Sequence, residues 1–248
     1  MLKAFGEPPI FGEVHGDWPP QVVAFHGWGR GRGDFRTALR GLPAVAVDLP
    51  GFGASPAPPA PWGSREYAAR LAEVVEAAGS PVVLVGHSFG GRVAVRLAAM
   101  RPDAVSAIVL TGAPIAPSGQ PRRPPALAYR AIRRLHKARL LNDALMEWGR
   151  NQYGSADYRQ ARGVMRDVLV TVLQEDYSGD LRGIAQPVAL LWGTEDTEVP
   201  FAVAEAAAAL IGSCTVEAVT GVGHDLPWRA PDRLRAAILG LSRPAVGS

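Results

Sequence analysis

The sequence has a single cysteine and no long run of uncharged apolar residues. One cysteine excludes an internal disulfide and a metal site built from several cysteines, and the alternating segment around Cys214 predicts a buried strand thiol that serves packing. No stretch approaches the about 18 apolar residues that a membrane span needs, and the N-terminus lacks the pattern of a secretion signal. We therefore expect a soluble, cytoplasmic protein with no membrane span.

Basic residues are concentrated in one short segment. The chain has a formal net charge of +3, but residues 121–140 alone contain seven basic side chains and no acidic one. The sequence lacks zinc-finger spacing, an RNP-like aromatic pattern and a helix-turn-helix signature, which are marks of nucleic-acid binders. The sequence therefore predicts no nucleic-acid partner, and the basic residues of this segment must have a role confined to their own region of the protein.

Short, valine-rich apolar runs alternate with segments of helical period, which predicts an α/β fold. Hydrophobicity in the middle runs is continuous rather than alternating, so these strands should be buried on both faces of a mainly parallel sheet with helices on both sides. The predicted strands are 21–25, 44–48, 81–85, 105–110, 187–192 and 214–219, and the predicted helices are 64–78, 91–100, 200–211 and 231–241.

Two intervals interrupt this alternation. Residues 51–63 are crowded with proline and glycine, which predicts a surface loop beside the site. Residues 114–181 show helical periodicity but no convincing strand, so we expect a helical lid inserted into a core that is formed by residues 1–113 and 182–248. Within this lid, residues 126–141 predict a helix with one apolar side and one basic side.

The strongest local signal is the sequence Gly86-His87-Ser88-Phe89-Gly90, which directly follows one predicted strand and directly precedes a predicted helix. This context is typical of a nucleophile elbow, where a serine stands in a strained turn. Small residues on either side of the turn let the strand and the helix approach closely. The pattern predicts that Ser88 is a catalytic nucleophile.

A serine nucleophile requires a base and an orienting acid, which this motif class places later in the chain. His224 is the only one of the five histidines that glycines flank at a late strand end. Asp196 follows the strand predicted for 187–192, where its carboxylate would emerge at the carboxyl edge of the sheet. We therefore expect His224 as general base and Asp196 as the acid that orients it, with neighbouring Glu195 open as the alternative acid.

Acyl transfer also needs donors for the oxyanion of the tetrahedral intermediate, commonly two backbone N–H groups. Phe89, directly after the nucleophile, predicts one donor. The loop His26-Gly27-Trp28-Gly29 after the first predicted strand places Trp28 to supply the other. We expect Trp28 to line the substrate pocket as well, together with His26 and Trp148. This chemistry requires neither a metal nor an organic cofactor.

Taken together, these motifs resemble the α/β-hydrolase superfamily. The resemblance covers nearly the whole chain outside the predicted lid and includes the 48–53 loop, Asp-Leu-Pro-Gly-Phe-Gly. It implies an eight-stranded, mainly parallel sheet, a triad of Ser88, His224 and Asp196, and oxyanion donors at Trp28 and Phe89. Haloalkane dehalogenases and epoxide hydrolases of this fold carry an aspartate at the elbow, so Ser88 argues against both.

The fold alone does not name a substrate, because it hosts esterases, thioesterases, carbon–carbon hydrolases, lyases and receptors. We expect hydrolysis of a small-molecule carboxylic ester through an acyl-enzyme. A carbon–carbon hydrolase or lyase with the same triad, and a non-catalytic ligand-binding protein, remain open. The 26–29 and 48–53 loops are also similar to those of pimeloyl-carrier-protein methyl ester esterases, which implies an acidic carrier protein as a partner of the basic residues 122–139.

Overall fold

The computed structural model describes residues 1–117, 132, 134–136, 138–153 and 156–242, and these residues build one eight-stranded sheet. The strand order is β1-β2-β4-β3-β5-β6-β7-β8; the first two neighbouring pairs are antiparallel and the others are parallel. The strands are β1 (Leu2–Phe5), β2 (Ile10–His15), β3 (Val22–Phe25), β4 (Ala44–Val47), β5 (Val82–His87), β6 (Val105–Thr111), β7 (Val188–Gly193) and β8 (Cys214–Val219). The predicted fold class is confirmed.

The continuous apolar runs form the centre of the sheet. Every residue of β3, β4, β5 and β7 is buried, as expected for strands covered on both faces. The strand β8 lies at the edge and is mostly exposed or half-buried. The prediction of a buried Cys214 was therefore wrong: the thiol is only half-buried, because an edge strand has a neighbour on one side only.

Helices cover both faces of the sheet. One apolar core contains the buried residues of the two helices that flank β5 in sequence, and a second core on the opposite face contains Phe35, Leu234 and Ile238. Outside the inserted segment the helices are α1 (Ser64–Glu76), α2 (Phe89–Met100), α7 (Ala202–Ala208), α8 (Leu226–Arg229) and α9 (Pro231–Ser242), with short 3-10 turns at Arg32–Phe35 and Pro102–Ala104.

Four helices lie in the described part of the segment between β6 and β7: α3 (Asp143–Tyr153), α4 (Ala156–Gln160), α5 (Val164–Val172) and α6 (Ser178–Gly183). Arg96 of α2 forms an ion pair with Asp180 and donates a hydrogen bond to the carbonyl of Asp176 at 2.9 Å. Of the basic helix predicted for 126–141, the described residues are 132, 134–136 and 138–141, and 132 and 134–136 are helical. No helix in the described ranges is both long and apolar enough to cross a membrane.

Candidate active site

Ser88 occupies a strained turn between β5 and α2. Its backbone has φ +50° and ψ −114°, a conformation that costs a non-glycine residue about 1–3 kcal/mol. The Ser88 N–H donates a hydrogen bond to the carbonyl of Thr111 at 2.9 Å, which ties the turn to the end of β6. The surrounding structure therefore holds this serine in a conformation that the residue alone would avoid.

The glycines around Ser88 are required by close backbone approach. A Cβ atom at Gly86 would lie 2.6 Å from the Cα atom of Gly91, and one at Gly90 would overlap the carbonyl oxygen of Phe25. Both contacts would be shorter than any that a side chain can tolerate. The turn thus fits between β3 and α2 only with these small residues, as the motif predicts.

His224 and Asp196 meet at the carboxyl edge of the sheet. Nδ1 of His224 lies 2.8 Å from Oδ2 of Asp196, whose side chain is almost completely buried. The other carboxylate oxygen accepts the N–H groups of Glu198 at 3.0 Å and Val199 at 2.7 Å. Glu195 is exposed, so of the two acids that the sequence left open, Asp196 is the one that contacts the histidine.

Three carboxylates act on the imidazole of His224. Burial by itself lowers the pKa of His224, but the hydrogen bond and charge of Asp196, together with the charges of Glu198 and Asp157, raise that pKa above its ordinary value. The raised pKa means that these carboxylates stabilise the imidazolium relative to that of an ordinary histidine. Such an imidazole is well suited to hold a proton transiently.

Gly112, which the sequence did not single out, lies beside His224 and Asp196. Its φ is +53°, and a Cβ atom there would lie 2.9 Å from the His224 ring and 3.1 Å from Oδ2 of Asp196. It directly follows Thr111, the residue that accepts the N–H of Ser88. Ser88, His224 and Asp196 therefore converge on the end of β6. The only sequence signal was a glycine at a strand end.

His87, next to the serine, is a buried neutral neighbour of His224. The two ring centroids lie 4.9 Å apart. Burial lowers the pKa of His87 to about 3, and its Nδ1 contacts the hydroxyl of Thr111 at 2.9 Å. His87 therefore stays uncharged and packs against the imidazole without competing for its proton.

Two backbone N–H groups beside Ser88 are available for an acceptor. Within the described ranges, neither the Trp28 N–H nor the Phe89 N–H donates a hydrogen bond to the protein. A Cβ atom at Gly27 would lie 3.3 Å from Cβ of Ser88, so the loop after β3 passes directly beside the serine. Both groups that the sequence named as oxyanion donors thus flank Ser88 without a partner.

Aromatic rings surround this loop. Trp28 contacts Phe52 and Phe89 edge-on, with ring centroids 5.0 and 5.3 Å apart, and Tyr67 contacts Phe89 at 5.1 Å. Gly51 packs against the side chain of Met165 on α5, where a Cβ atom would overlap the sulfur. The 51–63 loop and α5 therefore border an apolar region next to Ser88.

The other two predicted pocket residues, His26 and Trp148, differ in their burial. His26 is completely buried; its Nδ1 lies 2.7 Å from the carbonyl of Gly27, and its Nε2 accepts the N–H of Leu49 at 3.0 Å. It therefore joins two loops, and its ring packs edge-on against Phe52 with the ring centroids 5.5 Å apart. Trp148 on α3 is 53% exposed, and no ring contact joins it to the site within the described residues.

Asp48 explains the second loop motif. Its carboxylate accepts the N–H groups of Arg32 at 2.9 Å and Ala54 at 2.8 Å, and it pairs with the guanidinium of Arg32. A Cβ atom at Gly53 would overlap that carboxylate. This buried acid holds the loop that carries Phe52, so its role is to shape the aromatic surface.

The eight-stranded sheet, the strained serine after β5 and the Asp–His contact after β7 and β8 define the α/β-hydrolase fold. A sequence model of the alpha/beta hydrolase family matches residues 22–237, and the chain belongs to that family. The predicted resemblance is confirmed.

Relatives and solved structures agree with this membership. The chain is similar to lipase LipV of Mycobacterium tuberculosis (45% identity over 41% of this chain and 40% of the relative). It is also similar to a pimeloyl-[acyl-carrier protein] methyl ester esterase of Neisseria meningitidis (38% over 37% of this chain and 36% of the relative). Each match spans less than half of the relative's length. The solved structure of an esterase from Exiguobacterium antarcticum shares the fold, with a TM-score of 0.72 at 22% identity over 95% of this chain and 96% of that chain.

Proposed function

We propose that this protein hydrolyses carboxylic esters through an acyl-enzyme on Ser88, with His224 as general base and Asp196 as the residue that orients the base. The observation that carries the proposal is the 2.8 Å contact between His224 and a buried Asp196 at the same sheet edge as the strained Ser88. Similarity to proteins named as lipases and esterases supports the ester as substrate class.

The mechanism follows from the roles that these groups can perform. Nε2 of His224 takes the proton of Ser88 as Oγ attacks the ester carbonyl, and the resulting oxyanion accepts the N–H groups of Trp28 and Phe89. The imidazolium then gives its proton to the alkoxide leaving group, and the acyl-enzyme remains. Water, deprotonated by His224, attacks the acyl-enzyme and releases the carboxylic acid and Ser88.

Substrate preference on the acyl side depends on the aromatic surface of Trp28, Phe52 and Phe89. Their rings are apolar and lie next to the two available N–H groups. An acyl chain bound there would bury apolar area without leaving any buried polar group unpaired. We therefore propose a small-molecule ester with an aliphatic or aromatic acyl group.

A carrier-linked ester is a second candidate, because the relatives named as pimeloyl-[acyl-carrier protein] methyl ester esterases match the chain and residues 121–140 hold seven basic side chains. An acidic carrier protein would be attracted by such a segment. The carbon–carbon hydrolase or lyase and the non-catalytic binding protein would use the same residues, but no feature of the site favours either.

Reaction with a fluorophosphonate probe tests the proposal. The probe should label the wild-type protein, and Ser88→Ala should abolish the labelling and lower p-nitrophenyl ester turnover by at least about 10⁴-fold. Ser106→Ala, which changes an exposed serine on β6, is the matched control and should keep both. Labelling that survives in Ser88→Ala would show that the nucleophile is another residue. Labelling without ester turnover would favour a lyase or a slow receptor.

A further inference from the structure

A second carboxylate approaches the face of His224 that takes part in proton transfer. Oε2 of Glu198 lies 3.8 Å from Nε2 of His224, the ring nitrogen opposite the one that contacts Asp196. The backbone N–H of Glu198 donates to the Asp196 carboxylate, so the same turn fixes both acids. The Glu198 side chain is 69% exposed and therefore stands at the open side of the site.

Asp157 adds a second negative charge that acts on His224. It belongs to α4 in the inserted segment, and its charge also favours the protonated form of His224. In the part of the chain that the structure describes, neither Asp157 nor Glu198 forms an ion pair with an arginine or a lysine. The mechanism above uses neither of them.

Within the described ranges, Asp225 and Arg30 beside the site are each paired and His87 is uncharged. Asp225 forms an ion pair with Arg229 at 2.8 Å, and Arg30 forms one with Asp34 at 2.8 Å. His87 is buried and neutral. Among the described groups, Glu198 and Asp157 therefore add negative charge next to His224.

This side is where the alcohol half of an ester must lie. In the proposed mechanism Nε2 gives its proton to the leaving oxygen, so that oxygen binds about 3 Å from Nε2. The Glu198 carboxylate is then within about 7 Å of it, which is less than the Debye length of about 8 Å at physiological ionic strength. We propose that Glu198, assisted by Asp157, makes the enzyme selective for esters whose alcohol carries a positive charge, an inference that rests on the proposed ester hydrolysis.

The same carboxylates also stabilise the imidazolium, and an experiment must separate the two effects. Imidazolium stabilisation acts on proton transfer in both a cationic and a neutral ester, so it does not by itself favour the cationic one. Attraction of a cationic alcohol changes only the cationic ester. The ratio of kcat/KM for two esters that differ in charge alone therefore isolates the selectivity.

A choline ester and the 3,3-dimethylbutyl ester of the same acid form such a pair, because a quaternary nitrogen replaces a quaternary carbon. We expect the wild-type protein to prefer the choline ester, and Glu198→Gln to lower the ratio about fivefold at low ionic strength. Asp157→Asn should lower it less. Glu195→Gln, an equal change of charge on the same loop, should leave it unchanged, and 1 M salt should bring the wild-type ratio close to that of Glu198→Gln.

The outcomes separate this inference from the proposed function. If both esters are hydrolysed but the Glu198→Gln ratio equals the wild-type ratio, the selectivity is wrong and ester hydrolysis stands. An equal fall in Glu195→Gln would likewise overturn it, since the effect would then come from net charge. If neither ester nor p-nitrophenyl esters are turned over and the fluorophosphonate does not react, the proposed function fails, and this inference with it.

Discussion

The turns at the carboxyl edge of the sheet and the segment inserted between β6 and β7 are held in place by different means. Around Ser88, contacts between backbone atoms leave no space for a side chain, as at Gly86 and Gly90. The inserted segment is attached by side chains, namely buried apolar ones such as Leu169, Tyr177 and Leu181, and long arginines such as Arg96 to Asp180. The catalytic edge therefore tolerates little change, whereas the insertion can vary without displacing the proposed triad.

The largest expected effect comes from the acid at the sheet edge. Asp196→Asn keeps an oxygen for the N–H groups of Glu198 and Val199 but turns an amide N–H toward His224, which forces the wrong imidazole tautomer. We expect kcat to fall by roughly 10⁴-fold with an unchanged fold, measured with a p-nitrophenyl ester and by thermal unfolding.

Glu195→Gln serves as the comparison, because it removes an exposed carboxylate one residue away and should change kcat less than about twofold. If the two results were exchanged, Glu195 would be the orienting acid, and the 2.8 Å contact of Asp196 would have no catalytic role.

A smaller loss should follow from Gly112→Ala. The new methyl group would lie 2.9 Å from the His224 ring and push the imidazole away from its position, and a misplacement of about 1 Å costs on the order of 100-fold in rate. Ester turnover and the melting temperature of the variant give the measurement.

Gly163→Ala in the inserted segment provides a matched control. Gly163 has the same φ of +53°, but no atom lies within 4 Å of a Cβ there. Both variants therefore place an alanine at the same positive φ, and only Gly112→Ala contacts the histidine. Equal losses of activity would attribute the effect to strain and remove Gly112 from the site.

These glycines also differ in whether their roles could be predicted from the sequence. Gly86 and Gly90 belong to a motif with fixed spacing, so the elbow could be predicted together with the order serine, acid, histidine. Gly112 follows an ordinary buried strand, and its importance depends on a histidine 112 positions later in the chain. Only the parallel pairing of β6, β7 and β8 brings Gly112 and His224 together.

Some strands of the fold could likewise be predicted from the sequence, and others could not. The strands β3 to β7 are largely apolar runs, and the edge strand β8 alternates, so the positions of these six strands could be inferred from the sequence. The strands β1 and β2 did not appear among those runs, because Leu2–Phe5 and Ile10–His15 mix polar with apolar residues at the edge of the sheet. The exposure of Cys214 was missed for a related reason, since alternation cannot distinguish an edge strand from a half-buried inner one.

The pH dependence of activity should reveal the influence of the insertion on the sheet edge. A protonated His224 cannot accept the proton of Ser88, so kcat/KM should fall as the pH drops through the pKa of His224, which Asp196, Glu198 and Asp157 together hold above its ordinary value. Removing a carboxylate lowers that pKa, so Asp157→Asn should move the acid limb of the profile to lower pH.

Asp167→Asn is the control for this shift. Asp167 is an exposed acid on α5 and is not among the charged groups that raise the pKa of His224. Its profile should match that of the wild-type protein. An equal shift of the acid limb in both variants would mean that the overall charge of the insertion is responsible. An unshifted acid limb in Asp157→Asn would show that α4 does not influence the pKa of His224.

The smallest effect on catalysis is expected from the basic segment, of which Arg134 lies among the described residues while Arg130 and Lys137 lie outside them. If this segment attracts an acidic carrier protein, reversing these three residues to glutamate should raise KM for a carrier-linked ester on the order of tenfold at low salt. The difference from the wild-type protein should fade as salt screens the charges. Turnover of a small neutral ester should stay unchanged, because Ser88 and His224 are fixed by the sheet. Equal losses with both substrates would instead assign the segment a packing role, and unchanged KM values would leave the carrier protein without a docking surface here.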